Sequence, residues 1–105
     1  KRLWQSGARP QAIAAANEPI ALGIMRFLYE QDIRIPEDIA IVSYEDSVLG
    51  GYAVPALTSV NIQKEYMGEL AARIMLKRIR KGQEGELEHI IVEPNLVVRS
   101  SVGKC

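Results

Sequence analysis

Two short stretches of this 105-residue chain carry side chains suited to holding a small polar molecule. One is Asn17, directly after the apolar run QAIAAA; the other is the acidic pair Glu45-Asp46, directly after IAIVSY. An asparagine amide both donates and accepts hydrogen bonds, and a carboxylate accepts them, which together match the hydroxyls of a sugar. Asn17 also suits a plainer task, capping the helix that follows it, and one residue can do both. Tyr44, just before the acidic pair, either lines a pocket wall or packs in the core. Adjacent carboxylates do not make a glycosidase, because that reaction needs carboxyl groups on opposite sides of the scissile bond. Neighbours on one strand end point apart.

Other chemistries find little support. His89 and Cys105 are the single histidine and cysteine, so the sequence offers no metal-ligand set and no internal disulfide. A lone thiol fits a reducing compartment. No Lys, Ser or Cys has the partner spacing of an activated nucleophile, and no GxGxxG phosphate loop is present. We therefore expect no catalytic residue, metal or cofactor. Thirteen basic residues balance thirteen acidic ones, whereas a nucleic-acid-binding module carries a basic excess. The basic cluster Lys77, Arg78, Arg80 and Lys81 falls in the last turn of a helix, where the dipole favours cations in water. No apolar run approaches the roughly 18 residues of a membrane span.

The elements that must position Asn17 and Glu45 follow from patterning. Residues 1–7 read as the end of a helix, with Gly7 as C-cap and Pro10 blocking continuation. A helix opening without an N-cap signal predicts that the chain is part of a longer polypeptide. Residues 11–16 read as a buried strand. Asn17, with Glu18 and Pro19 behind it, starts a helix to about residue 31, with Ile20, Ile24, Phe27 and Leu28 on its inner face. Residues 39–44 form a second strand, β-branched and flanked by turn residues. Strand, helix and strand with short connections imply a right-handed parallel βαβ unit. Asn17 and Glu45 then both lie at strand C-terminal ends, where α/β sheets bind ligands.

The remainder reads as a loop over residues 45–55, a short strand over 58–62, and a helix over 64–81 with Met67, Leu70, Ala71, Ile74, Met75 and Ile79 in three-four spacing. A polar loop over 82–88 leads to strands over 90–92 and 95–99, separated by the step that Pro94 forces. Leu22 lies off the expected inner helix face. Val48, Leu49, Tyr52 and Val54 are apolar residues in a turn-like loop, the composition of an interface core unless the loop folds over its own lobe.

In order, the segments resemble the C-terminal part of the effector-binding domain of LacI/GalR-type transcription regulators. The resemblance rests on five pieces across nearly the whole chain: Gly7-Ala8-Arg9-Pro10 with AIAAANEPIALGIMRFL, then RIPEDIAIVSYED, then Pro55-Ala56-Leu57-Thr58-Ser59-Val60, a helix with Gly68 near its start, and Leu96-Val97-Val98-Arg99-Ser100-Ser101. It implies a partial periplasmic-binding-protein-like, Rossmann-like α/β fold, a parallel sheet flanked by helices. Residues 1–60 would form part of the C-terminal lobe, residues 61–93 a helix and strand crossing to the N-terminal lobe, and residues 94–105 the return strand and tail.

The resemblance further implies a sugar or related metabolite in the interlobe cleft, held by Asn17, Glu45, Tyr44 and Asp46. It implies a homodimer with Leu22, Leu49, Tyr52 and Val54 near the two-fold axis, a cytoplasmic location, no membrane partner, and DNA binding only through a headpiece absent from this chain. Three positions depart from the family pattern: Glu45 where Asp is usual, Ser43 where Gly is usual, and Ile62 where Gln is frequent. A longer carboxylate at 45 changes the pocket geometry or the ligand. The runner-up reading is a periplasmic sugar-binding protein of a transporter, with the same lobes; the Pro-Glu-Asp-Ile and Pro-Ala-Leu-Thr-Ser segments favour the regulator.

Overall fold

The structure, a computed structural model, describes residues 2–81 and 88–103. Cys105 and most of the expected loop over 82–88 lie outside the described residues. Helix α1 (Arg2–Gln5) ends at Gly7, whose φ of +85° is the left-handed cap that glycine adopts freely. Strand β1 (Ala12–Ala14), helix α2 (Glu18–Tyr29) and strand β2 (Ala40–Tyr44) form the expected parallel unit, with Ile13 opposite Ile41. Strand β3 (Thr58–Asn61) continues the sheet in parallel, Val42 opposite Thr58. Strand β4 (Asn95–Val97) closes the order β1-β2-β3-β4, and it runs antiparallel to β3 with Ser59 opposite Val97. The fold is thus mixed α/β: three parallel strands and one returning strand.

The core comprises Ala15, Ala21, Met25, Leu28, Ile39, Ile41 and Leu57, packed between α2 and the sheet. This corrects the expected helix face. The buried stripe of α2 is Glu18, Ala21, Met25 and Leu28, while Ile20 is 48% exposed. Ala21 has no bulk beyond Cβ, so this stripe lets the helix approach the strands more closely than one led by Ile20. Ile24 and Phe27 pack on the flank, where Phe27 meets Trp4 edge-on at 6.4 Å and Arg9 covers Trp4 at 3.9 Å. Leu22 is half-buried against the same core, so it is not the free apolar residue that the sequence suggested.

Three other expectations change. The loop over 45–55 contains a short helix, α3 (Val48–Tyr52), with Ser47 as its N-cap accepting from Leu49 N. Two glycines and no apolar periodicity hide so short a helix from pattern reading. Residues 90–92 form no ladder with any described strand. Helix α4 (Lys64–Lys81) has the expected bounds, but its apolar stripe is uncovered, with Met67, Met75 and Ile79 exposed. The radius of gyration is 18.9 Å, against about 13 Å for a compact domain of this size. An 18-residue helix is about 27 Å long, and α4 projecting from the sheet accounts for the 59 Å long axis.

Short polar ties hold the lobe's edges. Before β2, Arg34 Nε and Nη2 pair with both oxygens of Asp38 at 2.9 and 2.8 Å, and Arg34 N donates to the same carboxylate. These hydrogen bonds hold the Asp38 carboxyl down to about 2. At the other end of the sequence, Ser101 is buried beside β2, below the point where β3 begins pairing. Its N–H donates to Ala56 O and its carbonyl accepts from Ile41 N, both at 2.9 Å. Its hydroxyl accepts from Thr58 N at 2.8 Å and donates to Ile41 O at 2.6 Å.

Removing that hydroxyl strands one buried donor and one buried acceptor, each costing about 1–3 kcal/mol. Ser101→Ala is expected to lower the unfolding free energy by about 2–4 kcal/mol in urea denaturation. Ser100→Ala serves as the control with no such loss.

Candidate functional site at the strand ends

Because β1, β2 and β3 are parallel, their C-terminal ends share one edge, and Asn17, residues 44–47 and residues 61–63 converge there. Asn17 follows β1 in extended backbone, and its Oδ1 accepts from Ile20 N at 3.0 Å. The capping role is real and occupies only the oxygen; among the described residues nothing takes up the side-chain NH2, which stays available as a donor. Tyr44, at the end of β2, is 47% exposed and so is not a core residue. Glu45 is exposed beside it, its backbone N–H donating to Val60 O and its carbonyl accepting from Lys64 Nζ at 3.1 Å.

Asp46 behaves differently. Its carboxylate is directed into the lobe: Oδ2 accepts from Asn61 Nδ2 at 3.0 Å, and Arg99 Nη1 lies 2.7 Å from Oδ1. Nη1 donates to Leu57 O at 2.7 Å, and Oδ1 has no hydrogen-bond partner among the described residues. The Arg99–Asp46 attraction is therefore coulombic more than directional. Arg99 and Asp46 are both mostly buried, so water screens the pair weakly. Asp46 is thus bound to its own chain, while Glu45 faces outward.

The loop joining β2 to α3 is strained. Glu45 has φ of 96° and Asp46 of 50°, left-handed values that cost non-glycine residues about 1–3 kcal/mol each. Three anchors hold it. Asp46 N donates to Ser59 Oγ at 3.0 Å, and Ser59 Oγ also accepts from buried Ser43 Oγ at 2.9 Å. Ser47 N donates to Glu18 Oε1 at 2.8 Å. Glu45 N reaches Val60 O at 2.9 Å. Backbone strain of this kind concentrates at ligand-handling sites.

Sequence reasoning placed Asn17, Tyr44, Glu45 and Asp46 on one edge, and the structure brings all four there. It missed Glu18, Ser59, Asn61 and Arg99. Arg99 left a signal, a cation closing the apolar run LVV; Glu18 left none beyond its place in the first turn. A groove of about 650 Å³, lined in part by Met25, Tyr29, Arg34 and Pro55, lies at the opposite, N-terminal ends of the strands. It includes none of the four residues.

Comparison with known proteins identifies the fold. The periplasmic binding protein-like domain family matches residues 1–102. The chain is 39% identical over 101 residues to an HTH-type transcriptional repressor PurR of Vibrio vulnificus, covering 96% of this chain and 29% of that protein. It superposes on the transcriptional regulator CelR–cellobiose complex with a TM-score of 0.85 at 36% identity, covering 94% of this chain and 30% of the other. A LacI-type transcription regulator from Bifidobacterium animalis subsp. lactis gives a TM-score of 0.90 at 29% identity, covering 97% and 36%. The chain spans about a third or less of the length of these proteins.

Breaking one partner of a buried ion pair costs about 3–5 kcal/mol because the other charge is left uncompensated. Arg99→Ala is expected at the lower end, about 3 kcal/mol, given its partial exposure. Adding Asp46→Asn to Arg99→Ala should cost less than the sum of the two, with a coupling of about 1–3 kcal/mol. Additive effects in a urea double-mutant cycle would show that the pair is not coupled.

Proposed function

The chain belongs to the periplasmic binding protein-like domain family, in the form carried by LacI/GalR-type transcription regulators, and from that premise we propose that it is part of a regulator's ligand-sensing module. In this reading a sugar or related metabolite binds at the strand-end edge, between this lobe and a second one. Residues 1–60 belong to one lobe, residues 61–93 cross to the other, and residues 94–105 return. The uncovered stripe of α4 is then an interior face of the second lobe. Ligand binding alters operator affinity of a separate headpiece in the cytoplasm, without catalysis, and only to the extent that the ligand binds the two lobe arrangements differently.

One observation carries the reading: Asn17 and Glu45 stand at neighbouring parallel strand ends with an amide donor and a carboxylate left over from the protein's own hydrogen bonding. Asp46 takes the supporting role, holding the loop through Arg99 and Asn61. Similarity to repressors favours the regulator over a transporter's binding protein.

A hydrogen bond to a charged group contributes roughly 1.5–3 kcal/mol. Glu45→Ala in the full-length protein should therefore weaken sugar binding about tenfold or more by titration calorimetry. Asn17→Asp keeps the helix cap and removes the NH2 donor, and should weaken binding with little change in the melting temperature. Unchanged affinity in both variants would refute the site.

The regulator reading includes a homodimer in which Leu49, Tyr52 and Val54 meet their counterparts across a two-fold axis. All three are exposed, Tyr52 by 80%, on and just after α3. Leu22, also expected at this interface, packs partly on its own core, so a charge there would disturb folding as well as pairing. Tyr52→Glu is the cleaner probe: it should give a monomer at low micromolar concentration in sedimentation velocity, with an unchanged far-UV spectrum.

A further inference from the structure

Glu18 is only 2% exposed although it occupies the first turn of a helix, where an acidic residue ordinarily sits in water beside the helix dipole. It lies on the inner stripe of α2 with Ala21, Met25 and Leu28, so its carboxylate is carried under the lobe's surface. Burying a carboxylate is costly unless strong hydrogen bonds replace its water. Both oxygens are used, on one residue 29 positions away: Oε1 accepts from Ser47 N at 2.8 Å and Oε2 from Ser47 Oγ. Ser47 is the residue after strained Glu45 and Asp46, and it is also the N-cap of α3.

The seat of this carboxylate leaves no room for a side chain at Gly50. A Cβ at Gly50 would stand 2.5 Å from Glu18 Oε1 and 3.1 Å from its Cδ. Gly50 is helical, so its lack of a side chain is not explained by backbone conformation. Space for Glu18 explains it. A carboxylate one methylene shorter would withdraw its oxygens by more than the slack in a 2.8 Å hydrogen bond, leaving Ser47 N unpaired.

We propose that Glu18 is a positioning residue whose side-chain length, matched to the bare Gly50, fixes residues 45–47 and thereby sets how Glu45 is presented to ligand. The proposal rests on the ligand site described above, which Glu18 does not touch. Its carboxylate acts through Ser47: with Ser47 held, the left-handed turn at Glu45 and Asp46 persists and the Glu45 side chain faces the shared edge. With Ser47 released, the turn relaxes and the outward carboxylate loses its fixed place. Length matters more than charge here, since a glutamine keeps an acceptor for Ser47 N and a donor for Ser47 Oγ.

The test has two arms. Amide hydrogen exchange on the full-length protein reads the latch directly. Glu18→Asp and Gly50→Ala should each speed exchange at Ser47 and Asp46 by about tenfold or more, while Ile41 and Val42 in β2 keep their protection. Glu18→Gln should stay within about threefold of the parent. Unchanged exchange in Glu18→Asp and Gly50→Ala overturns the latch. The second arm titrates D-ribose, D-glucose and cellobiose into the full-length protein. For whichever sugar binds, Glu18→Asp should weaken affinity about tenfold and Glu18→Gln should restore it to within about threefold. Loosened exchange with unaltered affinity overturns the positioning role. If the parent binds none of the three, the sugar reading of the site fails, while the exchange arm still decides whether Glu18 holds the loop.

Discussion

The backbone at Glu45 and Asp46 is left-handed at two successive residues that carry side chains, and the polar interior of the lobe is organised around keeping it so. Anchors arrive from three parts of the fold: Glu18 from α2, Ser59 and Val60 from β3, and Arg99 from the segment after β4. Glu18, Ser59 and Val60 meet hydrogen-bonding needs of their own at that loop, while Arg99 supplies charge opposite Asp46. The arrangement divides labour between adjacent carboxylates. Asp46 turns inward and stabilises; Glu45 turns outward and stays free.

That division depends on strand order. With β1, β2 and β3 parallel, three loops leave the sheet at the same edge, and residues far apart in sequence become neighbours without any of them having to reach. Antiparallel β4 supplies something else. It brings Arg99 and Ser101 back under β3, where a parallel sheet three strands wide would leave Leu57 O, Thr58 N and Ile41 O without partners. The groups that complete the sheet thus come from the tail, while α4 in between extends away from it.

Much of this was legible in the sequence. Turn residues around QAIAAA and IAIVSY marked β1 and β2, Asn17 with Pro19 marked the start of α2, and the three-four spacing with a closing glycine gave α4 its bounds. Patterning failed where a residue answers to a distant partner. The α2 face was assigned to Ile20 by hydrophobicity, but close approach to the sheet selected the smaller Ala21 and carried Glu18 inward with it. Helix α3 was invisible because two of its five residues are glycine, one of them required by Glu18 rather than by helix formation. The strand expected over 90–92 had the right composition, but a ladder needs a neighbour. At the site, position along the strands identified Asn17 and Glu45; nothing local distinguished Asp46, whose inward turn is fixed by Arg99 far along the chain.

Ser101 sits 60 residues beyond Ile41 and 43 beyond Thr58. Translation at about 5–20 residues per second makes those partners roughly 2–12 seconds apart in time of synthesis. Through that interval β2 and β3 can pair with each other, yet Ile41 O and Thr58 N still wait for the hydroxyl that caps them. That seam closes only when Ser101 reaches a strand synthesised 60 residues before it.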